Sequence, residues 1–170
     1  VTIRVMTTYG FEGSDPDVDE SARIARDATL VGDVTVGADA SVWPGAVLRG
    51  DVAPVRVGAE AHVGDNAVLH ASDVGDRVMV GHGAVCNDAA VEDGALVGFG
   101  ATVSDVTVGE RSIVAAGTVV PEGYEIPPES FARGVPARVT PLAETTVDPE
   151  ETFETYSSGA YTDLSRRHRE

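Results

Sequence analysis

The chain has 170 residues, 42% hydrophobic but only 5% aromatic, so a core must be built from Val, Ala, Leu and Ile. Its formal net charge is −16, all 12 basic residues are arginines and lysine is absent. Such a surface repels nucleic acid and anionic membranes, and an acid excess of this kind suits a halophilic protein, because salt screens the self-repulsion. One cysteine excludes an intrachain disulfide, and no apolar run is long enough to span a bilayer.

Residues 1–17 read as an N-terminal extension without the layout of a signal peptide, so the protein is expected to be soluble and cytoplasmic. From Val18 onward, aliphatic residues recur every six positions: Val18, Ile24, Leu30, Val36, Val42, Leu48. The series resumes at Val57, at Val74, at Val91 and at Val108, and runs out at Val120. Two residues before each aliphatic position stands a small side chain, such as Ala22, Ala28, Ala40 or Ser112. A six-residue unit is too short for a helix and a turn. It holds one short strand and one corner, and three units close a triangular coil. The irregular steps, Leu48 to Val57, Leu69 to Val74, Cys86 to Val91 and Val103 to Val108, all fall on the third step of a three-unit cycle, hence at one corner. The spacing predicts an all-β fold, a parallel β-helix of hexapeptide repeats over residues 18–126.

Residues 127–147 read as an exit loop. Residues 148–170 read as a C-terminal α-helix and tail, with Asp148 as N-cap, Pro149 at the first position and Glu150 and Glu151 in the first turn. Gly159 is expected to end this helix, and Arg166–Glu170 to fray.

Alternation places the neighbours of each aliphatic position on the outside. Two outer sides are then apolar, one showing Val47, Val68 and Val85, the other Met79, Leu96 and Ile113. Exposed patches of this kind are rare on monomers. The C-terminal helix can cover one strip; a homotrimer joining unlike apolar sides covers both and closes into a ring. Trp43, also outward, reads as interface packing.

The same counting makes Arg49, His70 and Asn87 an outward ladder with rungs about 4.8 Å apart. Cys86 points inward as a small hydrophobe. His82 lies on another side, near a corner, and reaches the ladder only across a subunit interface. His62 and His168 read as surface residues. Two imidazoles alone make no robust metal site.

The stretch "GDVTVGADASVWPGAVLRGDVAPVRVG", followed by "VLH", "VGH" and "GVPAR", resembles the γ-class carbonic anhydrases, roughly over Asp17 to Leu142. The resemblance implies a left-handed coil and a homotrimer. It implies Zn2+ or another divalent metal bound between subunits, with CO2 reversibly hydrated to bicarbonate. His70 and His82 match two of the family's three histidine ligands, and the third position holds Asn87. Arg49 and Asp51 match a salt-bridged pair flanking the site, and with Asn87 they are the candidate catalytic groups. An amide oxygen is a weak zinc ligand, so impaired activity is expected. Gly64 stands where the family usually has Gln, and Ala132 near a usual Tyr. Two alternatives remain: a non-catalytic trimeric scaffold, or a hexapeptide acyltransferase, which usually carries a long loop with a basic histidine that this chain lacks.

Overall fold

The computed structural model describes residues 7–156 and 158–168. Short strands pair in parallel with the equivalent strand one coil away, never with their chain neighbour, until Ser130. One column stacks Ile24, Val42, Val63, Val80, Val97 and Val114. A second stacks Leu30, Leu48, Leu69, Cys86, Val103 and Val120. A third stacks Val18, Val36, Val57, Val74, Val91 and Val108. These are the residues of the six-residue series, and from Leu30 on all are buried. The fold is a left-handed parallel β-helix.

The small residues of the repeat line the inside next to the corners; Ala28, Ala46, Ala67, Ala84 and Ala101 are fully buried. Burial pushes the Cys86 thiol up to about 12, so it packs as an inert hydrophobe. At the corner where the spacing shortens, Ala71, Asp88 and Asp105 stack at φ 49°, 49° and 50°. This left-handed conformation closes the corner, and Asp tolerates it because its short polar side chain bonds locally.

One level departs from the rule. Gly32 pairs with Gly50 but Val34 pairs with Val55, so within the strand Val47–Val57 the four residues Asp51–Pro54 stand against Asp33 alone, three more than the register needs. Val52, in this stretch, is 74% exposed.

Both ends of the helix are more ordered than the repeat implied. Thr7–Tyr9, inside the expected extension, pairs in parallel with Thr29–Val31. In place of a plain exit loop, Ser130–Arg133 adds to the sheet beside Ile113–Val114 and turns back against Arg138–Pro141. Ala132 takes the inward slot above Val114 and is fully buried, which closes the column.

The C-terminal segment forms α1 (Pro149–Tyr156) and α2 (Ser158–Arg167). Asp148 caps α1 as expected, its Oδ1 accepting the N–H groups of Glu150 (3.0 Å) and Glu151 (3.1 Å). The expected stop at Gly159 is corrected: Gly159 lies inside α2. Tertiary contacts outweigh the glycine's poor helix propensity. Thr162 and Ser165 are buried, and Arg166, expected to fray, pairs with Asp39 at 3.2 Å. Arg169 and Glu170 of the expected tail lie outside the described residues.

These elements build a second core on the outside of the coil, from Met79, Leu96, Ile113 and Leu142 with Phe131, Val147, Phe153 and Tyr161. One of the two apolar sides is therefore covered within the chain. Trp43 packs there too, edge-on to Tyr161 and to His168.

The reading of His62 as a surface residue is also corrected. Its ring is fully buried, with its centroid 3.9 Å from that of Tyr161. Trp43 Nε1 donates to Ser41 Oγ (3.1 Å), and the same hydroxyl shares a hydrogen bond with His62 Nδ1 (3.2 Å). Burial, with His82 nearby, lowers the His62 pKa to about 3.

Val80→Asp is expected to cost about 4 kcal/mol or more, because the carboxylate would be buried without a partner; thermal melts check this. His62 stays neutral when folded, whereas an unfolded imidazole titrates near 6.5. Its contribution is therefore fully present above about pH 6.5 and falls as pH drops toward 3, by at most about 1.4 kcal/mol per unit. Melts of wild type and His62→Phe are expected to converge or cross as the pH is lowered; a constant difference would contradict the burial.

Candidate metal centre on the coil surface

Parallel register aligns Arg49 with His70 and His70 with Asn87, on strands whose inward residues are Leu48, Leu69 and Cys86. The ladder read from the repeat is present, with Ser104 as its next rung.

Its hydrogen bonds have a fixed sense. Asn87 Nδ2 donates to Asp88 Oδ2 at 3.0 Å, and a carboxylate only accepts, so the amide cannot be flipped. Asn87 Oδ1 then faces His70 Nδ1 at 2.9 Å, and Nδ1 must carry a proton. On the other side of the ring, His70 Nε2 lies 3.5 Å from Asp51 Oδ1. Both atoms are buried and neither has a hydrogen-bond partner. Asp51 Oδ2 accepts from Arg49 NH2 (2.7 Å) and Nε (3.3 Å). This hydrogen-bonded guanidinium holds the Asp51 carboxyl below the usual carboxylate range.

His82 sits at the corner after the Met79–Val80 strand, away from the ladder. Its Nδ1 is 2.6 Å from Asp65 Oδ2 and 3.0 Å from the Asp65 backbone N–H. One nitrogen cannot both donate and accept here. The backbone N–H can only donate, so Nδ1 is the acceptor and a neutral His82 ring carries its proton on Nε2, with Asp65 Oδ2 alongside at 2.6 Å. The ring stacks on Phe99, centroids 5.0 Å apart and planes 14° apart. His70 thus has Nδ1 held by an oxygen and Nε2 left over for another partner, whereas His82 Nδ1 is held by a backbone N–H.

Within one chain the two histidines are not brought together, and among the described residues no three His, Cys, Asp or Glu side chains gather as a metal-ligand set. Gly64 has no room for a side chain: a Cβ there would stand 2.8 Å from the His82 backbone nitrogen and 2.9 Å from its Nδ1. Ala132 faces the coil interior and offers nothing to the surface. Asp65 and Asp88 were not singled out by motif. Asp65 stands beside Gly64, one coil before the Gly81–His82 pair, and that offset is the signal it carries.

No family model matches the chain. A crystal structure of a hexapeptide transferase family protein from Anaplasma phagocytophilum superposes with a TM-score of 0.88 at 30% identity, over 96% of this chain and 98% of that one. A carbonic anhydrase of Geobacillus kaustophilus is 42% identical over 64 residues, 38% of this chain and 35% of that protein. Gamma carbonic anhydrase 3 of Arabidopsis thaliana mitochondria is 47% identical over 57 residues, 34% of this chain and 22% of that protein. The matched stretch thus spans about a third or less of these curated relatives.

Nitrogen NMR of the histidine rings, at a pH where both are neutral, should show His70 as the Nδ1–H tautomer and His82 as the Nε2–H tautomer. Asn87→Ala is expected to move the proton of His70 to Nε2, toward Asp51, without changing His82. Asp65→Ala is expected to change His82 alone.

Proposed function

The chain belongs to the hexapeptide transferase family, and from that premise we propose that it is a trimeric metalloprotein of the γ-carbonic anhydrase type. In this reading His70 and the partner subunit's His82 hold Zn2+ or another divalent ion, and CO2 is hydrated reversibly to bicarbonate. The observation that carries it is the state of His70, anchored through Nδ1 by the Asn87 amide oxygen with its Nε2 buried and unpartnered. That is the usual outer support of a metal-bound histidine, because it fixes tautomer and ring orientation and leaves Nε2 as the donor. The donor set fits the ion, and the buried, unpartnered His70 Nε2 is what a ligand position requires.

When bound, the divalent ion supplies a Lewis acid that makes water nucleophilic near neutral pH. The chain's own residues set the rest. Asn87 and Asp65 orient the two rings. Arg49 fixes Asp51 through two hydrogen bonds, and its half-exposed guanidinium places positive charge where the bicarbonate anion leaves. The strip of Val47, Val68 and Val85, partly exposed on each chain, is where copies meet. The net charge of −16 suits the assembly to a salt-rich cytoplasm.

The test is zinc titration against a chromophoric chelator in molar salt, with stopped-flow CO2 hydration and light scattering alongside. Wild type is expected to be a trimer, to bind zinc equimolar with subunits and to hydrate CO2. His70→Ala and His82→Ala should each lose tight zinc binding. A trimer that takes up no zinc is a scaffold, and specific acyl-CoA binding in its place would make the chain a transferase like its named relative.

A further inference from the structure

The strongest unexplained feature of the site is the facing pair of His70 Nε2 and Asp51 Oδ1. Asn87 forces the proton onto Nδ1, so a neutral His70 turns a lone pair toward a carboxylate. Both atoms are buried and unpartnered 3.5 Å apart, an arrangement that a proton on Nε2 or a cation between them satisfies, and the second has a geometry to meet. Arg49 does not fill that role, since it engages the other carboxylate oxygen. The separation is itself informative. Two donor atoms each ~2.0–2.1 Å from one tetrahedral zinc ion stand about 3.4 Å apart. The pair already has the spacing of one edge of such a tetrahedron.

We infer that Asp51 is a metal ligand of this chain, binding through Oδ1 beside His70 Nε2, and that Asn87 is not a ligand but the group that orients His70. This deepens the metal reading above and rests on it. The site is then a two-histidine, one-carboxylate set: His70 and Asp51 from one subunit and the partner subunit's His82. The carboxylate adds a negative charge and a hard oxygen in place of a neutral imidazole. Arg49, bonded to Oδ2, turns Oδ1 toward His70 as an outer partner does for any ligating carboxylate. The break in register at Asp51–Pro54 is what makes this possible, because a residue in regular register would stand on the ladder beside its rung and not across from the ring.

The experiment measures zinc affinity by chelator competition, and the visible spectrum of the cobalt(II)-loaded protein, for four chains. These are wild type, Asp51→Asn, Arg49→Met and Asn87→Ala, each checked by light scattering for an unchanged oligomer. Asp51→Asn is expected to weaken zinc by more than about a hundredfold and to change the cobalt spectrum, through loss of a ligand. Arg49→Met and Asn87→Ala, which remove only outer partners, are expected to weaken it by roughly ten- to a hundredfold and to keep the spectrum. If Asp51→Asn dissociates the oligomer, the cobalt spectrum of Asp51→Glu replaces it; a spectrum identical to wild type then counts against ligation. Zinc affinity unchanged in Asp51→Asn, or a loss in Arg49→Met as large with the same spectral change, overturns the assignment while leaving the metal site standing. An Asn87→Ala spectrum that changes like a lost ligand also overturns it. Wild type without zinc overturns both the assignment and the reading it rests on.

Discussion

The in-register stacking of one coil on the next is the constraint on which everything else depends. Val68 N–H donates to Ala84 O, and Val85 N–H to Ala101 O, so each coil hands its backbone bonds to the coil above. No residue can move alone along this ladder. A slip of one position would turn Leu69 outward and His70 into the core. Because the core column is aliphatic and closed, such a slip exposes apolar surface and buries polar groups at every level it affects. The outward rungs therefore inherit a precision that no loop would have. Arg49, His70 and Asn87 are held at strand spacing by the burial of Leu48, Leu69 and Cys86 behind them.

The proposed site sits where that regularity is interrupted. Gly50 passes so close to the Asp33 backbone that a Cβ would overlap it, so only glycine lets the chain leave register there. Pro54, with no N–H, closes the break at a position that asks for no ladder bond. Between them the chain lifts Asp51 off the column and Arg49 ties it back. A repeat alone lines up side chains in rows; two groups that must face each other need a break in the row. Functional sites are where local rules are expected to fail.

What the sequence discloses follows the same division. The three core columns are legible because period and small-residue spacing repeat at nearly every level, and a misreading at one is corrected by the next. Cys86 is legible for that reason alone. The ladder is legible as a consequence of the columns. His62 is not: it is an outward residue by alternation, and the ring that lies against it, Tyr161, comes about a hundred positions later. Gly159 misleads similarly, since its local cost is outweighed by side chains that dock onto Trp43 and His62. The role of Asn87 is hidden in Asp88, whose carboxylate decides which way the amide points. Spacing reports which residues share a face; it does not report the sense of a hydrogen bond.

The C-terminal helices narrow the choice of interface. By covering Met79, Leu96 and Ile113, they remove one of the two apolar sides from competition. What remains is the side of Val47, Val68 and Val85. Its two edges differ. The ladder of Arg49, His70 and Asn87 follows these valines in the chain, and the corner that carries His82 precedes them. In the proposed trimer, copies meeting about this strip bring the ladder edge of one toward the His82 edge of the next. A two-fold contact would pair like edges, ladder with ladder; a three-fold ring pairs unlike edges at every contact. The uncovered strip and the separated histidines are therefore one feature seen twice, and a cyclic assembly is the simplest symmetry that gives every ladder a histidine partner.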